Sequence, residues 1–371
     1  MEFFATAARG TEGPLRDELR ELRLSSVRAE RGGVRFEGSM ADGFRACLES
    51  RIAMRVLTPV ARGPAPTGDA LYELVGSADW SAPLTPRHTL AVRAACRASA
   101  LVHTQFVAQR TKDGVVDQLR ARFGSRPSVD LDDPDVSIFV NVVRDEATVY
   151  LDLAGEPLHK RGWRVHAGAA PLKETLAAAM LRLAAWDRAS PLCDPMCGAG
   201  TIAIEAALWA GDVAPGLHRR RFGFERWGSH DAAAVAAVAD LRRAARERAR
   251  LPRRLVPDVW GSDIDDGILA IARDNARRTG AAAVFERRPI DRLSLPYGAY
   301  VVTNPPYGER LEKSRELYAA IGRAVGAAAG CRVAVLSASP DLERAIGLRT
   351  LEIRELYNGA LPCRFLVYDV W

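Results

Sequence analysis

The sequence predicts an α/β protein. Its C-terminal part reads as a doubly wound, mostly parallel sheet ending in an antiparallel hairpin, with smaller α+β units before it. Three observations carry this. First, Leu192-Cys193-Asp194 runs into Gly198-Ala199-Gly200-Thr201 and then an apolar segment from Ile202, which is a strand, a glycine loop and a helix. Second, three more strand candidates follow, and their ends carry Asp263, Asp291 and Asn304. Third, 351–357 and 364–371 flank Asn358-Gly359, a hairpin signal with Asn-Gly as the turn.

At 371 residues the chain is expected to hold two or three domains. Its 48% hydrophobic content supports folded cores. No apolar run approaches membrane-spanning length, and Met1-Glu2-Phe3-Phe4-Ala5 has no leader pattern, so the cytoplasm is the expected location. A net charge of +6 and a pI near 9.1 suggest a polyanionic partner. Lys112, Lys160, Lys173 and Lys313 are the only lysines among 52 basic residues, a bias that a GC-rich genome would also produce. None of the six cysteines forms a Cys-x-x-Cys pair, so free thiols are expected, with Cys193 and Cys197 packed beside the glycine loop.

Residues 1–60 read as a small α/β unit. Phe3 to Thr6 is a strand, and Pro14 opens a helix with Leu15, Leu19 and Leu22 on one face. Gly32-Gly33 reads as a hairpin turn before the strand 34–36, followed by a helix over 41–49 and a strand over 53–59. The stretch 62–68, rich in Gly and Pro, reads as a loop. Residues 61–157 then give a strand at 90–94, a helix at 104–123 with a polar first half, and a hairpin of 136–143 and 147–153 around Arg144-Asp145-Glu146. This half carries no pocket chemistry and suits a binding module or a purely structural domain. Residues 158–164 are basic with Trp163 among them, which fits a nucleic-acid backbone or a solvated linker. Residues 218–227, basic with interleaved aromatics, and the arginines between 242 and 254 suit RNA phosphates or a solvated helical face, which Asp240 and Glu247 interrupt.

The stretch Val301-Val302-Thr303-Asn304-Pro305-Pro306-Tyr307 ends a buried strand in a loop that cannot extend the sheet. It offers the Asn304 side-chain oxygen, the Pro305 carbonyl and the flat face of Tyr307. The amino group of a base or amide is a poor nucleophile because its lone pair is delocalised. Two acceptors that hold both N–H bonds turn that lone pair towards an electrophile, while the ring stacks on an extruded base. A plain strand-ending turn is the alternative.

Gly198 and Gly200 let a backbone approach a ligand, and Asp194 can accept from a ligand amine or hydroxyl. A dinucleotide fingerprint has similar glycine spacing, but it wants an acid about twenty residues on. Here the next credible strand is 256–260, with Asp263 after it. A dehydrogenase also leaves Asn304 to Tyr307 unexplained. Asp291 fits a hydrogen bond to an adenine amine, or a capped turn.

The order of these motifs resembles the class I methyltransferases that use S-adenosyl-methionine. It resembles most closely the bacterial RNA guanine methyltransferases with a THUMP domain, of the 23S ribosomal RNA large-subunit type. The carriers include His103-Thr104-Gln105-Phe106, 127–134, 158–164, 170–177, 194–201, Ser262-Asp263-Ile264-Asp265, 304–310 and 358–364. Ala199 departs from a Ser frequent in that family. The resemblance implies a ferredoxin-like unit at 1–60, an RNA-binding THUMP domain at 61–157 and a Rossmann-like catalytic domain at 158–371. It implies that Asp194, Gly198, Gly200 and Thr201 line the methionine side of the cofactor. Asp263 takes the ribose hydroxyls, Ile264 lies against adenine and Asp291 meets the adenine amine. Asn304, Pro305, Pro306 and Tyr307 form the catalytic loop. The implied partner is ribosomal RNA first and transfer RNA second, for a monomer without metal or membrane. An adenine-amino methyltransferase and a catalytically silent RNA-binding protein are the alternatives.

Overall fold

The computed structural model describes residues 1–164, 172–251, 257–306, 314–327 and 329–370. Two sheets organise them. The first draws on β1 (Glu2–Thr6), β2 (Ser25–Glu30), β3 (Gly33–Glu37), β4 (Arg55–Pro64), β5 (Thr89–Arg97), β6 (Ser128–Val129), β7 (Val136–Val143) and β8 (Glu146–Asp152). Its order is β2-β3-β1-β4-β8-β7-β5-β6. Helices α1 (Glu12–Glu21), α2 (Met40–Glu49), α3 (Gly68–Gly76) and α4 (Thr104–Phe123) belong to this part of the chain.

The second sheet is built from β9 (Leu192–Asp194), β10 (Val259–Asp263), β11 (Val284–Arg287), β12 (Tyr300–Thr303), β13 (Cys331–Ser337), β14 (Glu352–Asn358) and β15 (Leu361–Val370). Its order is β11-β10-β9-β12-β13-β15-β14, parallel through β13, with β15 antiparallel to both its neighbours. Helices α5 (Glu174–Leu183), α6 (Thr201–Ala210), α7 (Ala232–Arg250), α8 (Asp266–Thr279), α9 (Ser314–Gly326) and α10 (Asp341–Ile346) accompany it. The chain leaves β9 towards β10 and β11, then returns to β12 on the other flank of β9. That reversal opens a crevice outside the carboxyl ends of β9 and β12, where ligands bind in doubly wound folds. Antiparallel β15 departs from the all-parallel dinucleotide order.

The parallel strands are apolar because both faces are covered. Val301 and Val302 are fully buried, as are Val333 to Leu336. In the first sheet, β7 alternates instead. Val136, Ile138, Val140 and Val142 enter the core, while Ser137, Phe139 and Asn141 point to the other face. The β7–β8 hairpin turns on Arg144 and Asp145, both with positive φ, as a two-residue primed turn requires.

Several expectations need correcting. The stretch 62–68 is not all loop, because β4 runs to Pro64 and α3 begins at Gly68. Pro59 and Pro64 are tolerated because beyond Leu57 the strand pairs with β8 alone. The 60/61 division therefore falls inside β4, which ties both N-terminal units into one sheet. In the terminal hairpin Asn358 is still paired with Leu361, so the turn residues are Gly359 and Ala360. With φ +66 at Gly359, glycine occupies the first turn position, as in a type II′ turn. The strand expected at 256–260 runs from Val259, and Val256 lies outside the described residues.

Of the basic stretches, 158–164 and 218–227 are largely buried or half-buried, whereas Arg243, Arg246 and Arg250 are exposed and Arg253 and Arg254 lie outside the described residues. In 158–164, Leu158, Arg161 and Trp163 are at most 2% exposed, so the segment is neither a linker nor a free basic surface. Arg161 pairs with buried Glu205 of α6 at 3.2 Å and donates to the carbonyls of Leu158 and Arg51. In 218–227, Phe222, Phe224 and Trp227 join the N-terminal core, and Phe224 stacks on Phe44 at 4.0 Å. Their large apolar area requires burial, which fastens this insertion to the first sheet. Arg219 is buried and spends its fork on the carbonyls of Ala154, Glu156, Pro157 and Lys160. Arg242 pairs with Glu225, and Arg248 with Glu49 and Asp212.

Candidate active site

The carboxyl ends of β9, β10 and β12 meet at one place. Asp194 ends β9 and is 2% exposed. Its Oδ1 accepts from the Thr303 hydroxyl at 2.8 Å and from the Met196 N–H at 3.3 Å. Burial pushes its carboxyl up to about 7, and Asp263 nearby adds to the rise. Thr303 ends β12, so this one bond fixes the start of the Asn304 loop against the β9 terminus.

After Asp194 the chain turns through Gly198, φ +50, and Gly200, φ +84. The two glycines serve different ends. A Cβ at Gly200 would meet the Phe285 ring at 2.8 Å and Ala272 at 3.1 Å, so its smallness lets α6 pack against β11 and α8. A Cβ at Gly198 would meet nothing within 4 Å, so this face of the loop is open. Its N–H donates to Asp263 Oδ2 at 3.0 Å, and the Asp265 N–H donates to Oδ1 at 3.2 Å. Ile264, beside Asp263, is 67% exposed, an apolar side chain held in the open crevice.

Thr201 is the first residue of α6 and is buried. Its hydroxyl accepts from Arg164 at 2.7 Å, so it is engaged by the protein itself. Asp291 sits in solvent on the short 3-10 turn Ile290–Arg292, and no hydrogen bond ties it to the cluster among the described residues. Asn304 follows β12 with its side-chain oxygen buried and without a hydrogen-bond partner among the described residues. Pro305 is buried and Pro306 exposed. Tyr307 lies outside the described residues.

Three supporting residues had no assigned role in the sequence reading. Thr303 is one. Arg164 is the second, bonded to Thr201, to the Leu172 carbonyl and, at 3.0 Å, to Glu174. Burial holds Glu174 up at about 6 despite that partner. The third is Asn275 of α8, 1% exposed, which donates to the Ala199 carbonyl at 3.1 Å and pins the glycine loop from behind. The polar helix-face position of Asn275 gives no local signal. Arg164 stood within a quoted basic run, where its charge suggested an external partner.

The donor set suits one kind of ligand. An open backbone turn, a buried carboxylate, a strand-end carboxylate and an exposed Ile beside it can hold an amine, a diol and a flat ring. A buried acceptor stands just after β12, at the start of the proline-stiffened loop.

Comparison with known proteins agrees with this layout. Residues 161–366 match the model described as RMKL-like, methyltransferase domain. Residues 66–152 match the THUMP domain and 2–57 the RlmL ferredoxin-like domain. A Syntrophotalea carbinolica protein named Ribosomal RNA large subunit methyltransferase K/L is 43% identical over 385 residues, covering 100% of this chain and 54% of its own length. A Methylococcus capsulatus protein of the same name is 41% identical, covering 100% of this chain and 51% of its own length. The chain thus spans about half the length of the curated relatives it matches. The solved SMU.472 protein, crystallised in complex with SAH, is 31% identical with a TM-score of 0.89, covering 100% of this chain and 98% of that one. With more than half of its residues matched by one family model, the chain belongs to the RMKL-like methyltransferase-domain family.

Proposed function

We propose that this chain transfers a methyl group from S-adenosyl-methionine to the exocyclic 2-amino group of a guanosine in 23S ribosomal RNA. The observation that carries the reading is the buried, unpartnered Asn304 oxygen on a loop fixed to Asp194 through Thr303. A buried acceptor without a donor costs free energy, and a ligand N–H repays it.

The residues fit the cofactor. Asp194 and the open turn at Gly198 take the methionine end. Asp263 takes the ribose hydroxyls, Ile264 lies against adenine and Asp291 reaches the adenine amine. Gly200 and Thr201 shape the loop, Gly200 by packing and Thr201 through Arg164. When bound, S-adenosyl-methionine supplies a sulfonium methyl as the electrophile. Asn304 Oδ1 and the Pro305 carbonyl accept the two N–H bonds of the target amine and expose its lone pair. Pro306 stiffens the loop, and Tyr307 stacks on the extruded base. As the C–N bond formed, the S–CH3 bond of the cofactor would break to leave a neutral thioether, and the proton lost by the amine would pass to solvent. The named relatives favour large-subunit ribosomal RNA over transfer RNA, and such an enzyme works in the cytoplasm.

The test is methyl transfer from labelled cofactor to separated ribosomal RNA, transfer RNA and protein from a cell lacking this gene. Label in ribosomal RNA supports the reading. Label in transfer RNA, in methyladenosine or in protein would replace the substrate. No label despite cofactor binding would favour a silent RNA-binding protein.

A further inference from the structure

A cavity of about 280 Å³ lies between the N-terminal sheet and the insertion that carries Arg219 to Arg226. Its cations are not equivalent. Arg221 and Arg226 are paired with Asp133, at 2.6 and 2.7 Å. Lys160 is paired with Glu156 at 2.9 Å, and Arg219 is spent on carbonyls. Two guanidinium groups in the lining remain exposed and without a hydrogen bond or ion pair among the described residues. They are Arg93 on β5 and Arg220 in the insertion. Against them stands a single unpaired carboxylate, Asp132.

Arg93 also lines a second, smaller cavity of about 80 Å³ on the same sheet. There it sits opposite Phe139 in the β5–β7 register, on the face that β7 turns away from the core. The Phe139 ring is half-buried and lies 6.4 Å from that of Tyr150. A pair of free guanidinium forks beside an accessible aromatic ring is the donor set for a phosphodiester and its adjacent base.

We infer that Arg93 and Arg220 form a clamp for one stretch of single-stranded RNA backbone, with the neighbouring base on Phe139. One arginine comes from the N-terminal sheet and the other from the insertion in the second half of the chain. A bound strand therefore spans both parts of the molecule and is held in register with the crevice. The inference rests on the RNA reading given above and names the surface that reading lacks.

The test uses the full chain, a fluorescein-labelled 12-nucleotide single-stranded RNA of mixed sequence, and anisotropy titrations across a salt series. Two lost phosphate contacts on a single strand lower the slope of log K against log salt by about 1.4. The double variant Arg93→Gln/Arg220→Gln is expected to show that drop and weaker binding, with thermal midpoint and S-adenosyl-methionine affinity unchanged. Phe139→Ala is expected to weaken binding while leaving the slope as in the wild type. Wild-type binding with the same slope in the double variant overturns the clamp and leaves the RNA reading intact. Absence of RNA binding by the wild type removes both. Displacement of RNA by inorganic phosphate, beyond that by chloride at equal ionic strength, would make the cavity a free-anion site and overturn the assignment.

Discussion

The proposed chemistry rests on two residues at adjacent strand ends. Asn304 presents an acceptor that the fold leaves unpaired, so its removal should affect turnover rather than binding. Asn304→Ala is expected to lower kcat by about 10²–10³-fold, the usual loss for one oriented polar group, with cofactor affinity within twofold of wild type. Comparable turnover in the two proteins would remove the assigned role. Asp194 makes a pH prediction. Its carboxyl is pushed up to about 7 by burial, whereas an unperturbed one sits near 3.8. Asp194 is therefore protonated below about 7, and a cationic methionine group requires the carboxylate. Cofactor affinity should rise with pH up to about 7, flatten above it, and release a proton on binding below it. For the fold alone the sign is opposite. A raised carboxyl contributes stability at low pH that is lost as pH rises through 7. Calorimetry in buffers of different ionisation heat would read the proton, and affinity flat from pH 5.5 to 8 would contradict the assignment. Both residues were legible in sequence because each ends an apolar strand. The split between Gly198 and Gly200 was not, because only the approach of Phe285 and Ala272 distinguishes them.

Among the elements, the strand–turn–helix unit of β9 and α6 is braced from two sides. Asn275 holds the Ala199 carbonyl from α8, and Arg164 holds Thr201 at the start of α6. Asn275→Ala leaves the half-buried Ala199 carbonyl without this donor, which costs about 1 kcal/mol. The expected outcome is a lower thermal midpoint together with weaker cofactor binding, because the turn loses its support. Lost stability with undiminished affinity would show that Asn275 serves packing alone. The main strands were readable from their apolar residues, which recur at the spacing that burial demands. β4 was cut short because Pro59 and Pro64 read as breakers. Only the pairing shows that this part of the strand has one neighbour. The terminal turn shifted by one residue because Gly359, not Asn358, takes the positive φ.

At the scale of the whole molecule, arginine does structural work that composition attributes to a partner. Arg161, Arg219 and Arg248 join the two halves through carbonyls and carboxylates, so part of the basic charge between 158 and 250 faces inward. Charge counts carry no information about what each guanidinium meets, which is why this could not be read from sequence. Arg161→Ala would strand Glu205 in the interior and is expected to cost about 3–5 kcal/mol. Arg161→Met combined with Glu205→Leu should cost less, since neither member of the pair is left behind without the other. Equal denaturation midpoints for these two variants would contradict the interior role of the pair. With the halves locked in this way, the sheet that carries the THUMP domain and the crevice at β9 and β12 are held in one arrangement. The central claim is that the crevice methylates a guanosine amine. It is tested most directly by mass spectrometry of nucleosides from ribosomal RNA incubated with cofactor and either wild type or Asn304→Ala. The account predicts N2-methylguanosine with the wild type and almost none with the variant. A methyl group on any other atom, or equal product from both proteins, would contradict it.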